Sequence, residues 1–463
     1  MPRFPKSTLP SIWPFGHVAE LRRDMLGFFT RCAQECGDIA LMKFGPRSVY
    51  LLNHPDHIEQ ALVTRNRAFS KHFAFKYLRP LLGTGLLTAE GDHWLRQRRL
   101  MQPAFSRESM NRYAPAMVEL TSNMVSGWCD GQPLDIHAEM TDLTLQIAAK
   151  TLLDIDLGDQ LRQVADGTDA VMDDFRLRLH SVAPLPIWIP TAQNRKMKQA
   201  RAQLNAVIER IIAQRRQSGE MHSDLLSMMM RARDEDDGRG MSDRQLRDEV
   251  MTLLLAGHET TANTLSWVWY LLAQHSEAAA KLQAELQEVL GDRPPELGDL
   301  PRLVFTEQIV KEAMRLFPPA YTIGREATED TTIGEYDVPR GTTVFACQWI
   351  VHRDSRWFPE PEQFQPQRWT EDFEQSRPKY AYFPFGGGPR VCIGNTFAMV
   401  EAVLLTARIA QEFSFELTGD KPIIPHAAVT LRPKDGIPVI ATRLAERGIL
   451  AGASSHRVRG TGL

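Results

Sequence analysis

Cys392 lies in "FGGGPRVCIG", Phe385 to Gly394, where three glycines, a proline and an arginine surround a single thiol. Glycine permits backbone turns closed to other residues and lets a bulky planar group come close. Backbone amides exposed in such a turn can point at a sulfur and lower its proton affinity. The helix that begins in "IGNTFAMVEAVLLTARIA", directly after the thiol, adds an amino-terminal dipole that favours an anion. Arg390 brings a positive charge to the same pocket, or to an acidic group on a ligand. A lone thiolate with no companion Cys or His suits the iron of haem. A glycine-rich turn around a buried structural cysteine fits the same residues.

Three further stretches carry chemistry. In the helix ending "KEAMRLFPP", Phe305, Ile309, Ala313 and Leu316 form one apolar stripe, and Glu312 falls inside it. Arg315, three positions on, lies within reach at the stripe's edge. Glu-x-x-Arg usually marks a surface ion pair. A core-facing glutamate instead requires charged or hydrogen-bonding partners, and Arg368 in "FQPQRW" is a further cation for it.

The stretch "LLLAGHETTANT" places Thr252, Ala256, Thr260 and Asn263 on one face, with Val250, Leu254, Leu265 and Val268 opposite. The small face leaves a groove in an apolar helix. Gly257 costs about 1 kcal/mol relative to Ala, which points to a packing reason. Close helix–helix packing, with Thr260 bonding back to the Ala256 carbonyl, accounts for the same residues. In "GDHWLRQRR", Trp94 and Arg98 face one way, so both can donate to one anionic group. A solvated basic face explains the arginines equally well, though not the tryptophan. "VHRDSRWF" has the His-Arg-Asp of a kinase loop. Pro359 stands where the magnesium-binding Asn belongs, and no Asp-Phe-Gly follows, so a kinase is excluded.

The chain that must position these residues has 463 residues, 43% of them hydrophobic, and a formal net charge of -3. That charge gives no reason to expect nucleic acid as a partner. Cys32, Cys36, Cys129, Cys347 and Cys392 follow no framework spacing, which suits a reducing cytosol and a cytoplasmic protein. Prolines near the amino terminus interrupt any signal-peptide run. Residues 251–273 are long and apolar, but His258, Glu259 and Asn263 near the middle argue for a buried helix rather than a membrane span.

Apolar periodicity predicts helices over 55–64, 92–101, 107–128, 138–153, 193–217, 243–273, 276–290, 304–317 and 393–413. Ser242 and Gln245 form a capping-box signature that starts the long helix. Strands are expected at 38–44 and 49–53 around a "GPRS" turn, at 332–338, at 342–347, and in a hairpin over "AVTLRPKDGIPVIATR". The result is a mainly α fold with a small β-rich subdomain.

Taken together and in this order, these stretches resemble the cytochrome P450 family, over nearly the whole chain from Leu9 to Arg443. The family pattern F-x-x-G-x-R-x-C-x-G is met in full by Phe385, Gly388, Arg390, Cys392 and Gly394. Glu-x-x-Arg is Glu312 and Arg315, and A-G-x-E-T-T runs from Ala256 to Thr261. Gln367 stands before Arg368, where the family often has an acid.

The resemblance implies a single haem domain over 1–446 with the cytochrome P450 fold, followed by a loose tail over 447–463. It implies haem b bound through Cys392 as the axial metal ligand and packed by Phe385 and Gly386. Its propionates would be held by Trp94, Arg98, Arg390 and, through alignment of "REATED", Arg325. Glu312, Arg315 and Arg368 would form a structural network, and Glu259 and Thr260 would deliver protons. Phe75, Leu87, Leu255, Ala256, Ala320, Ile323 and Val429 would line the substrate pocket, with Leu87 nearest the iron.

The implied activity is a monooxygenase that uses O2 to hydroxylate or epoxidise a lipophilic fatty acid, terpenoid or steroid-like molecule. Because the chain ends soon after the Cys392 region, electrons are expected from a separate ferredoxin or flavodoxin, docked with help from Arg96 and Arg99. A peroxide-using or isomerising haem-thiolate enzyme is the alternative, and the intact Glu259–Thr260 pair argues against it. A haem-binding sensor is a third class.

Overall fold

The computed structural model describes residues 3–7, 15–156, 158, 161–179, 185–219, 224–234, 238–419 and 421–444. The expected tail and most of the proline-rich approach before Phe15 lie outside these residues.

The helix Asp243–Gln274 is the axis of the molecule. Its start is fixed by the expected capping box: Gln245 N donates to Ser242 Oγ at 3.3 Å, and Ser242 N donates to Gln245 Oε1 at 2.8 Å. It runs through the main core against Ile136–Leu153, Ala192–Ser218, Val304–Leu316 and Asn395–Glu412. Buried Leu246, Val250, Leu254, Leu265 and Val268 supply its apolar contacts. Trp267, fully buried, stacks on Phe317 with ring centroids 4.1 Å apart and donates to the Leu431 carbonyl at 3.1 Å. Among the described residues no helix is long and apolar enough to cross a membrane.

Every helix read from the periodicity is present, with ends shifted by a few residues. The stretch 55–64 begins as an α-helix and widens to a π-turn over Gln60–Thr64. Met25–Cys36, Leu161–Leu179 and Leu225–Arg231 are helices that the periodicity does not announce. The first is capped by Asp24, which accepts from Gly27 N at 2.9 Å, but Gly27 leaves no acid at the third position to complete a box.

The main sheet has five strands in the order Ile39–Phe44, Arg47–Leu52, Thr343–Ala346, Ile323–Ala327, Phe69–Lys71. The first two pair antiparallel from Phe44↔Arg47, so the turn is Gly45-Pro46 rather than the full "GPRS". Arg47–Leu52 then pairs parallel with Thr343–Ala346, which joins distant parts of the chain.

Two strand expectations are corrected. Residues 332–338 are a hairpin, Thr331–Ile333 against Tyr336–Val338, reversed at Gly334 with φ +57°. "AVTLRPKDGIPVIATR" is no hairpin: Leu431–Pro433 pairs with Pro425–Ala427, while Pro438–Arg443 inserts between Gln132–Asp135 and Phe413–Leu417. Pro433 and Pro438 lack N–H groups for a mutual ladder. Asp135 takes the turn instead, accepting from Ile437 N at 2.9 Å beside Gly436.

Candidate active site

The Cys392 loop is shaped by its own backbone. Cys392 N donates to the Phe385 carbonyl at 2.9 Å, and Gly386 N donates to that of Phe383 at 2.9 Å. Gly386 and Gly388 have φ +76° and +65°. Gly394 has the open surroundings, a Cβ there meeting only the Phe105 ring at 3.6 Å, whereas Gly386 is bounded by one flexible side chain. A Cβ on Gly388 would stand 1.9 Å from the Leu62 carbonyl oxygen, and one on Gly387 2.3 Å from Tyr380. These two glycines therefore serve chain-to-chain packing. At Gly386 the nearest atom is the flexible Ile323 Cδ1, at 3.0 Å.

Cys392 is exposed, yet burial is the leading influence on its thiol. Burial pushes the thiol pKa up; a Gly394 amide and the Arg98 charge pull the other way and are outweighed. The loop alone thus does not make the thiolate that the amides and dipole suggest, because desolvation exceeds both. A metal cation coordinated by the sulfur would supply the missing charge. Among the described residues no three His, Cys, Asp or Glu side chains gather as a metal site, so a metal at Cys392 brings its other ligands with it.

Beside the thiol is a group of cations. Arg98 donates to the Val391 carbonyl at 2.8 Å, and its guanidinium lies 5.9 Å from the Trp94 ring. Arg390 lies 5.0 Å from the same ring and pairs with Glu90 at 2.9 Å. Burial, then the Arg390 charge, lowers Arg325 to about 10. The same two causes lower Lys71 to about 7. Burial alone would raise Glu90, but hydrogen bonds from Arg390 and the Lys71 amide hold it low. Lys71, Arg325 and Arg390 thus crowd together around Glu90, with Glu249 also acting on Lys71, and a bound anionic group would lower their mutual repulsion. An accessible lone thiol next to surplus cations fits a planar metal macrocycle with carboxylate arms. Trp94, Arg98, Arg325 and Arg390 are brought together as expected. Lys71 and Glu90 are missed by sequence reasoning, since no spacing ties them to the loop.

On the long helix, Ala256 is exposed and Gly257, Glu259 and Thr260 are half-buried, although Met251–Leu255 and Thr261–Trp269 are buried. A Cβ on Gly257 would meet only Leu152 Cδ1, at 3.8 Å, so this glycine opens space rather than permitting close packing. Thr260 Oγ1 donates to the Ala256 carbonyl at 2.9 Å. Glu259 Oε1 accepts from Thr430 Oγ1 at 2.6 Å, and Asn263 Nδ2 donates to that hydroxyl at 3.1 Å. Glu259 is therefore tied to the loop carrying Val429, away from the Thr260 hydroxyl.

Of the expected pocket residues, Phe75, Ala320, Ile323 and Val429 are half-buried, and Leu87 is 37% exposed. Leu255 differs: it is buried in the main core, so of the adjacent pair only Ala256 opens outward. A one-residue step on a helix turns the side chain by more than a quarter circle.

Glu312 and Arg315 are fully buried. Glu312 Oε1 accepts from Arg315 Nη2 at 2.8 Å, Gln365 N at 3.0 Å and Arg368 Nε at 3.1 Å. Its Oε2 accepts from Arg315 Nε at 2.9 Å and Trp369 Nε1 at 2.8 Å. Arg315 continues to the carbonyls of His352, Pro361 and Gln363. The network staples residues 359–369 to the helix. Trp369 and the Gln365 amide are members that motif reading does not supply. Arg96 and Arg99 both reach Asp234, at 3.8 and 3.1 Å, so the docking role expected of them meets an existing ion pair.

A family model for cytochrome P450 matches residues 5–439. Cyclooctatin synthase of Streptomyces melanosporofaciens is 36% identical over 418 residues, 90% of this chain and 91% of that protein. Cyclooctat-9-en-7-ol 5-monooxygenase of the same organism is 35% identical, covering 88% of each chain. Pentalenene oxygenase of Streptomyces avermitilis is 33% identical, covering 92% of this chain and 95% of that protein. The match runs through both the Cys392 loop and the Ala256 helix, and at this extent the chain belongs to the cytochrome P450 family, haem b monooxygenases that act as oxidoreductases.

Proposed function

We propose that this P450 oxidises a neutral terpenoid, with electrons from a separate ferredoxin or flavodoxin-type protein. The observation that carries the substrate class is the lining. Phe75, Leu87, Ala256, Ala320, Ile323 and Val429 are apolar and at least partly accessible. Neighbouring Lys71, Glu90 and Glu259 already have protein partners. Such a surface favours a substrate without a charge to satisfy. The relatives named for pentalenene and cyclooctat-9-en-7-ol, an alkene and an unsaturated alcohol by name, point the same way.

Haem held through Cys392 would supply the oxygen-activating chemistry. Arg98, Arg325, Arg390 and Trp94 would hold its acidic groups. Ala256 and Gly257 leave open space on the long helix. Thr260 Oγ1 donates its one proton to the Ala256 carbonyl, so beside that opening it presents lone pairs that accept a hydrogen bond from a proton donor there. Glu259, a carboxylate that accepts from Thr430, relays a proton only after taking one from water and turning away from Thr430. Apolar side chains let a bound hydrocarbon displace water from the cleft.

The test is a titration panel on haem-loaded protein. Neutral terpenoids should shift the Soret band and, with a generic ferredoxin system, yield oxygenated products. A shift produced only by charged, hydrophilic compounds refutes the substrate class.

A further inference from the structure

The loop from Gly83 to Glu90 carries Leu86 and Leu87 and lies directly on the long helix. Two glycines allow that approach. A Cβ on Gly83 would stand 2.0 Å from Asp248 Oδ2, and one on Gly85 would stand 2.3 Å from Thr252 Oγ1. Consecutive helix acids then bind the loop's main chain. Asp248 Oδ2 accepts from Thr84 N at 2.8 Å, and Glu249 Oε2 accepts from Leu86 N at 2.8 Å. From the sheet, Lys71 Nζ donates to the carbonyls of Leu86 at 2.8 Å and Ala89 at 2.7 Å. One residue, Leu86, therefore has its amide held by one buried acid and its carbonyl by one largely buried amine. The loop continues to Glu90, which accepts from Lys71 N at 2.7 Å and pairs with Arg390.

We propose that Glu249 and Lys71 are positioning residues for the substrate: by pinning Leu86 from both sides they fix where Leu87 stands, and so which carbon is presented for oxidation. This rests on the reading that the Leu87 loop lines the substrate pocket. Glu249 is 1% exposed, and Leu86 packs on the main core. Leu87, next in the chain, is free of the core and takes its place from Leu86. Burial raises Glu249 to about 8, and burial followed by the Arg390 charge lowers Lys71 to about 7. What both groups supply to the loop is hydrogen bonds, Glu249 accepting from the Leu86 amide and Lys71 donating to the Leu86 carbonyl. Glutamine retains an acceptor at the Glu249 position; alanine does not.

The experiment uses full-length haem-loaded protein at matched haem content, and whichever compound of the panel shifts the wild-type Soret band. The readout is the ratio of oxidation products. Glu249→Ala and Lys71→Met should each change that ratio by roughly three- to tenfold, the equivalent of one buried hydrogen bond. Glu249→Gln should restore a ratio close to wild type. An unchanged ratio in Glu249→Ala, or a Glu249→Gln ratio as altered as that of Glu249→Ala, overturns the proposal. If Glu249→Ala takes up no haem, an unchanged ratio in Lys71→Met overturns it alone. Failure of the terpenoid assignment shows in the wild type, through the compounds that bind; failure of the clamp shows only in the variants.

Discussion

Replacing Glu312 by glutamine is the most demanding test of the fold that supports the site. Glu312 accepts five hydrogen bonds, three at Oε1 and two at Oε2. Glutamine keeps one acceptor oxygen. With its nitrogen placed at the Oε2 position, it still faces Arg315 Nε and Trp369 Nε1, donor against donor. The charge that balances Arg315 and Arg368 is also lost, in a place where Arg315 has no exposure to water. Breaking a buried pair this way costs about 3–5 kcal/mol. At about 2.1 cal/mol/K per residue, 463 residues carry an unfolding entropy near 1 kcal/mol/K. The loss should therefore lower the thermal midpoint by about 3–5 °C, read by the Soret band and by circular dichroism at one scan rate. Glu312→Ala, which removes both oxygens, should yield little haem-loaded protein. Full haem content in Glu312→Gln with a midpoint within about 1 °C of wild type would refute the network's role.

Cys392→His should abolish the long-wavelength band of the reduced carbon monoxide complex, and its persistence would unseat Cys392 as ligand. Thr260→Ala should keep consuming reductant while releasing more peroxide per product; unchanged coupling would move proton delivery to Glu259. Leu87→Phe should narrow the pocket and shift the site of oxidation, measured as product distribution. Glu401 is buried with Oε2 unpartnered, and burial raises its carboxyl to about 8 against a hydrogen bond from Thr261. The folded protein therefore holds a proton that the unfolded chain releases near 4.5, so this residue's contribution to stability declines as pH rises from about 4.5 to about 8. The slope is at most about 1.4 kcal/mol per pH unit. Glu401→Gln should lack that decline, and parallel midpoint-against-pH curves for the two proteins would count against it.

Much of this molecule is legible in one dimension. The spacing around Cys392, the Glu312–Arg315 pair and the long helix with its cap depend on local geometry and apolar period, which a sequence displays directly. The small face read at Thr252, Ala256, Thr260 and Asn263 is open only at Ala256 and Thr260, because the Gly85 loop covers Thr252 and Asn263 is buried. What required the folded chain is whatever depends on which distant segment arrives. The Pro-Lys-Asp-Gly turn reads as a hairpin, yet Asp135, far earlier in the chain, claims it and sends its two arms to different sheets. The amides around Cys392 point toward a thiolate, yet desolvation by the whole fold outweighs them. Glu259 and Thr260 are neighbours in sequence, yet Thr430 takes one and the helix backbone the other. Lys71, Glu90 and Glu249 share no motif at all. They meet because two glycines let a loop lie on a helix, and buried charged groups must find partners wherever packing places them.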